Sequence, residues 1–193
     1  GADVTELADK YGTPLYLLDE NRIREKCRVY STAMRESFGE NSAALYAGKA
    51  LCFKGIYGII HDEGLCADVV SGGEIYTALA GGFPAEKLYF HGNFKTDAEI
   101  EYAVDSGVGC FVIDNDEELE RLDKIAGRKG IRQKVLLRVT PGIDPHTFEA
   151  VNTGKVDSKF GVSIETGQAA ELFEKVLTMK NIALEGLHCH VGS

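Results

Sequence analysis

The chain has 193 residues, 44% of them apolar, and a formal net charge of -9. That length allows one sizeable buried core, and the acidic balance argues against a nucleic-acid or anionic-membrane partner, because both call for excess Lys and Arg. No apolar run nears the ~20 residues of a membrane helix and the start lacks a signal-peptide layout, so the cytoplasm is the default location; the cysteines Cys27, Cys52, Cys66, Cys110 and Cys189, odd in number and without a CxxC pair, read as reduced thiols.

Residues 1–43 form a lead-in of helix, strand and helix. Asp3 can cap a short helix carrying Leu7, Ala8 and Tyr11, and Gly12 ends it. Pro14 to Leu18 reads as a strand outside the later rhythm, serving a different sheet. A longer helix follows with Ile23, Cys27, Tyr30 and Met34 on one face, stopping near Gly39.

From residue 44 to 193 short β-rich runs alternate with helical segments, the pattern of a parallel α/β sheet. The expected strands are Ala44 to Lys49, Cys66 to Val70, Lys87 to Phe90, Cys110 to Ile113, Lys134 to Val139 and Ala183 to His190. Ser71 with Glu74 and Thr96 with Glu99 are capping-box starts of helices, and Asp114 to Glu117 is a looser acidic start. The clearest helix follows Thr166, with Ala169, Leu172, Phe173, Val176 and Leu177 as an apolar stripe.

No GxGxxG follows the first of these strands, and polar residues mark strand ends at Lys49, Asp68, His91, Arg138 and His190. Both features favour a β/α barrel over a doubly wound sheet, since barrel sites are built at that end. A closed barrel needs eight strands and about 250 residues. With about six βα units and an end directly after a strand, the chain is expected to be an N-terminal part of a larger protein.

Lys49 sits in the apolar run LYAGKALC (45–52). A lysine in a buried strand either loses its proton or finds a counter-ion, and desolvation makes its amine a nucleophile. A snorkelling surface lysine is the plain alternative. Asp68, on the next strand, either orients that amine or a cofactor or begins a turn. Glu74 is most simply the capping partner of Ser71. Arg138 closes an apolar strand, so its guanidinium calls for a carboxylate or phosphate. His188 and His190 share one face of the last strand, with Cys189 opposite. They could bind a metal with other ligands, or be satisfied core histidines. Alternatively, His190 could lie flat on a planar cofactor while Gly192 and Ser193 donate to a phosphate. Lys95 and the acidic stretch Asp116 to Glu120 read as solvated surface.

The string YAGKA (46–50) resembles the cofactor-lysine motif of the alanine-racemase-fold decarboxylases. With ADVVSGGE (67–74), FHGN (90–93), LLRVTPG (136–142), DSKFG (157–161) and GLHCHVGS (186–193) in order, nearly the whole chain is similar to the diaminopimelate decarboxylase family. Gly48 and Leu51 stand where the family's commonest form has a larger apolar residue and an asparagine. The resemblance implies a pyridoxal 5'-phosphate-binding (β/α)8 barrel of which this chain is an incomplete portion, followed by a β domain that pairs with the first strand. It also implies a cytoplasmic homodimer with active sites across the interface, acting on meso-diaminopimelate to give L-lysine and CO2. Lys49 would carry the cofactor, His190 would stack on its ring, Ser193 would contact its phosphate, and Asp68, Glu74 and Arg138 would form the polar network around it. Lys49 would also be a proton carrier, and no metal is implied. The 193 residues alone are expected to be inactive. Ornithine, arginine or carboxynorspermidine decarboxylases, a non-catalytic cofactor-binding subunit, an alanine racemase and a metal-dependent barrel hydrolase are the competing readings.

Overall fold

The computed structural model describes residues 2–143 and 160–191. Seven strands, β1 (Leu45–Ala47), β2 (Cys66–Val69), β3 (Leu88–Phe90), β4 (Cys110–Ile113), β5 (Gln133–Thr140), β6 (Val162–Ser163) and β7 (Ile182–His188), form one sheet in which every pairing is parallel. Helices α3 (Lys54–Asp62), α4 (Gly72–Ala80), α5 (Asp97–Asp105), α6 (Asp116–Lys129) and α7 (Gln168–Thr178) lie between consecutive strands, and α1 (Val4–Tyr11) and α2 (Glu20–Phe38) precede them.

Strands β1 to β5 neighbour one another in chain order. A doubly wound sheet reverses its strand order at a switch point, whereas a β/α barrel adds each strand beside the last. The observed order is the barrel's, and the sheet is open among the described residues. β5 pairs with β7 along Gln133–Arg138 and with the two-residue β6 through Val139 and Thr140. The registers Ala47↔Asp68, Phe90↔Phe111, Ile113↔Leu137 and Arg138↔His188 align the carboxyl ends of the strands.

Strands covered on both faces read as continuous apolar runs. β4, Cys-Phe-Val-Ile, is buried at all four positions. The Phe90 and Phe111 rings meet edge to face at 5.5 Å across β3 and β4, and Ile75, Ile100, Leu119 and Leu122 close the core from the helices. Each fully buried Leu or Ile contributes about 1.5–3 kcal/mol.

Helix starts follow the expected chemistry. Asp3 Oδ1 accepts from the N–H groups of Thr5 and Glu6 at 2.8 and 3.3 Å, and Thr96 and Glu99 make the reciprocal capping box of α5. Three expectations change. Pro14 to Leu18 forms no strand with any described residue, and Tyr16 is 96% exposed. In α2 Cys27 is buried but Tyr30 is exposed, and in α7 Leu172 and Val176 are buried while Phe173 and Leu177 are exposed. Each helix buries only part of its apolar stripe, α2 beside α3 and α7 beside β6 and β7. No helix among the described residues is long and apolar enough to cross a membrane.

Candidate active site

β1 ends at Ala47, and Gly48–Ala50 form a single 3₁₀ turn. Lys49 therefore stands just past the strand on an exposed turn, not inside a buried run. The described residues do not supply the desolvation its apolar neighbours implied. The turn is pressed against the sheet. Gly48 is buried, and a Cβ on it would lie 2.5 Å from the Tyr57 hydroxyl oxygen and 2.9 Å from the Asp68 carbonyl oxygen.

A cavity of about 380 Å³ opens at the carboxyl ends of the strands, lined by Lys49, Asp68, Val70, His91, Gly92, Asn93, Arg138, Phe160, His188 and His190. All five polar strand-end residues picked out from the sequence meet there. Their positions follow from the parallel registers, since each stands within about two residues of the carboxyl end of its own strand. β7 ends at His188, so His190 belongs to the segment after the strand.

Burial and the nearby Glu74 charge push the Asp68 carboxyl up to about 6, with Lys49 and Arg138 opposing. His91 Nε2 lies 3.7 Å from Asp68 Oδ1. That contact is not an ion pair: burial and neighbouring positive charge push His91 down to about 3, which leaves the ring neutral. His91 meets His188 edge to face at 4.7 Å, and burial also lowers His188, to about 4. His190 is shifted down as well, by burial and by the charges of Arg138 and Lys49. Among the described residues no three His, Cys, Asp or Glu side chains come together as metal ligands.

Arg138 finds the carboxylate it called for. Its Nη1 is 3.6 Å from Asp114 Oδ1, with both side chains nearly buried, and its guanidinium lies 4.4 Å from the centre of the Phe160 ring. Glu74 keeps half of the expected capping role. Its N–H donates to Ser71 Oγ at 3.2 Å, but its carboxylate accepts from the N–H of Val70 at 2.8 Å. That places the carboxylate behind the lysine turn, 3.1 Å from where a Gly48 Cβ would be. Ser193, Gly192 and residues 157–159 of the DSKFG string lie outside the described residues.

Sequence reasoning missed two groups. His188, read as a metal ligand or a core histidine, and Asn93, noted only within the FHGN string, both line the cavity. Lys95 and Glu118, read as solvated, are 1% and 0% exposed and paired at 2.7 Å. The signal was in α6, where Glu118 stands four residues before Leu122 on the helix face that Ile125 and Ala126 continue. A carboxylate on an apolar stripe calls for a buried cation.

Residues 20–193 match the family model described as pyridoxal-dependent decarboxylase, pyridoxal binding domain. Over all 193 residues the chain is 45% identical to a diaminopimelate decarboxylase of Bacillus methanolicus and 44% identical to one of Bacillus subtilis, covering 44% of each. The crystal structure of diaminopimelate decarboxylase from M. jannaschii in complex with L-lysine matches with a TM-score of 0.89 at 34% identity, over 100% of this chain and 45% of that one. The Helicobacter pylori enzyme complexed with L-lysine gives 0.88 at 29%, over 99% and 47%. The chain thus spans less than half the length of these relatives.

Proposed function

The chain belongs to the pyridoxal-binding domain family of the pyridoxal-dependent decarboxylases, and on that premise we propose that the full-length protein carrying it converts meso-2,6-diaminopimelate to L-lysine and CO2. The observation that carries the reading is the convergence of Lys49, Asp68, His91, Arg138, His188 and His190 on one cavity at the strand ends. The 45% identity to a diaminopimelate decarboxylase supports this substrate over ornithine or arginine.

The cavity fits pyridoxal phosphate by its donor set. Asp68 Oδ1 and His188 Nδ1 are buried with no hydrogen-bond partner among the described residues, and both residues line the cavity. A planar ring bearing polar substituents matches buried polar atoms beside flat imidazoles. When bound, this cofactor accepts the electron pair left as an α-carboxylate departs.

The protein's own groups hold and orient. Lys49 contributes the amine that attaches the cofactor, and its place on a turn pinned by Gly48 limits where that amine can reach. Once released, the same amine holds a proton for return to the substrate carbon. His190 offers a ring face, and Ser193, on the resemblance alone, a donor to the phosphate. Asp68, with Glu74 behind it and Arg138 across the cavity, sets the local charge. The neutral rings of His91 and His188 add polar atoms without adding charge. The proposal includes a homodimer in the cytoplasm and a barrel that further residues of the full-length protein complete beyond a lead-in at 1–43.

The test uses the full-length protein. It is loaded with pyridoxal phosphate, reduced with borohydride, digested, and mapped by mass spectrometry, then assayed for CO2 and lysine from diaminopimelate. Label on Lys49 and equimolar products are expected. Folded protein without label on Lys49 would overturn the reading.

A further inference from the structure

We propose that Lys95 is a positioning residue for the cavity: paired with Glu118, it fixes the loop that carries His91 and so holds the His91 ring against His188 and in front of Asp68. The proposal rests on the reading of the cavity as a cofactor site.

Lys95 does not line the cavity. It stands on the loop between β3 and α5, where all three donors of its ammonium are used within the protein. Nζ donates to the carbonyl oxygens of Gly92 at 2.9 Å and Val112 at 2.8 Å, and to Glu118 Oε1 at 2.7 Å. The side chain therefore ties the loop that follows His91 to the end of β4 and to the first turn of α6. Burial pushes the Lys95 ammonium down and the Glu118 carboxyl up, and their mutual attraction opposes both.

The backbone around His91 is held on both sides. Its N–H donates to the Val69 carbonyl at 2.8 Å, and the next carbonyl, that of Gly92, is the one Lys95 grips. Gly92 has a φ of 112°, and a Cβ there would lie 3.2 Å from the Val70 carbonyl oxygen, so the loop passes tightly over the end of β2. With the backbone fixed, the imidazole reaches His188 at 4.7 Å and Asp68 at 3.7 Å. A buried ion pair is a poor device for stability alone, because well-packed apolar side chains of similar volume serve as well or better. What this pair adds is direction: three short bonds, one within the loop and one each to β4 and α6, set one loop geometry.

The test is made in the full-length protein with histidines labelled at ¹³Cε1, comparing the native chain with the apolar pair Lys95→Met with Glu118→Leu. His91→Ala identifies the His91 resonance, and His188→Ala measures its ring-current displacement. The apolar pair is expected to fold, to lose most of that displacement, and to lower kcat for CO2 release about 10- to 100-fold with KM changed less than about threefold, the scale of a small misplacement. If the apolar pair does not fold, Lys95→Arg is read instead; its planar fork cannot match the three acceptors, and the His91 resonance is expected to move. A native-like His91 resonance, or a displaced one with kcat unchanged, overturns the proposal. If the native protein releases no CO2, the decarboxylase reading fails separately, and the resonance alone decides the positioning role.

Discussion

The Tyr57 hydroxyl occupies the space beside Gly48: a Cβ placed on Gly48 would lie 2.5 Å from the tyrosine oxygen. Tyr57 is fully buried, so neither residue can move away cheaply. The absence of a side chain at Gly48 is thus matched by the Tyr57 hydroxyl, which reaches in from α3. The Gly48→Ala substitution is expected to destabilise by about 1–3 kcal/mol through overpacking, and to reduce borohydride labelling of Lys49 by displacing its turn. Adding Tyr57→Phe removes the closest contact but leaves the Asp68 carbonyl at 2.9 Å, so partial recovery is expected. Urea unfolding of the two variants measures it.

Asp68 gives a pH dependence of definite sign. Its folded-state value of about 6 stands above the ordinary 3.8, so between those values the folded protein holds a proton that the unfolded chain has released. The contribution of Asp68 to stability therefore falls as pH rises from 4 to 6 and levels off above. In full-length protein freed of cofactor, Asp68→Asn should remove this slope and raise stability above pH 6.5 by up to about 3 kcal/mol. Urea midpoints measured from pH 4 to 8 check it, and parallel curves for native and variant would contradict the assignment.

Much of the site was legible because a parallel sheet converts sequence order into spatial order. Once Asp68, His91, Arg138 and His190 are placed near strand ends, neighbouring strands bring them together without further information. The helix caps at Asp3, Ser71 and Thr96 were legible for a local reason, since each rests on residues three apart or fewer. What could not be read were contacts between distant segments. Lys95 looked solvated because its partners, Val112 and Glu118, lie 17 and 23 residues away. Pro14 to Leu18 has the composition of a strand, but a strand exists only with a neighbour, and no described residue pairs with it. Lys49 looked buried because its flanking residues are apolar; the 3₁₀ turn that lifts it out begins at Gly48, which a pattern of apolar residues does not record.

Arg138 holds Asp114 by charge and Phe160 by stacking, and the two can be separated. Arg138→Met leaves the nearly buried Asp114 carboxylate without its cation and is expected to cost about 3–5 kcal/mol. Asp114→Asn in the same chain should restore part of it. Arg138→Lys keeps the charge but loses the planar contact at 4.4 Å, for an expected cost of about 1 kcal/mol. The three urea midpoints, compared at constant pH and unchanged slope, distinguish a charge effect from a packing effect. Equal losses in the Met and Lys variants would mean that stacking, not charge, dominates.

Glu99 should respond to pH in the opposite sense from Asp68. Its Oε1 accepts from the N–H of Gly72 at 3.0 Å, while Oε2 accepts from the N–H and hydroxyl of Thr96 at 3.1 and 2.9 Å. One carboxylate therefore joins the start of α5 to the start of α4, next to the segment that bears Glu74. Burial would raise Glu99, but the N–H groups of Gly72 and Thr96 outweigh it and hold the carboxyl below its ordinary 4.5. A lowered folded-state value means that the contribution is fully present above the ordinary value and is lost as pH falls through the folded one. Glu99→Gln keeps the shape and removes the charge, for an expected loss of about 1–2 kcal/mol at pH 7. On acidification below the ordinary carboxylate range the native protein should converge on the variant in urea midpoint. A gap that stays constant from pH 7 to 3 would show that the bonds, rather than the charge on the carboxylate, hold the two helix starts together.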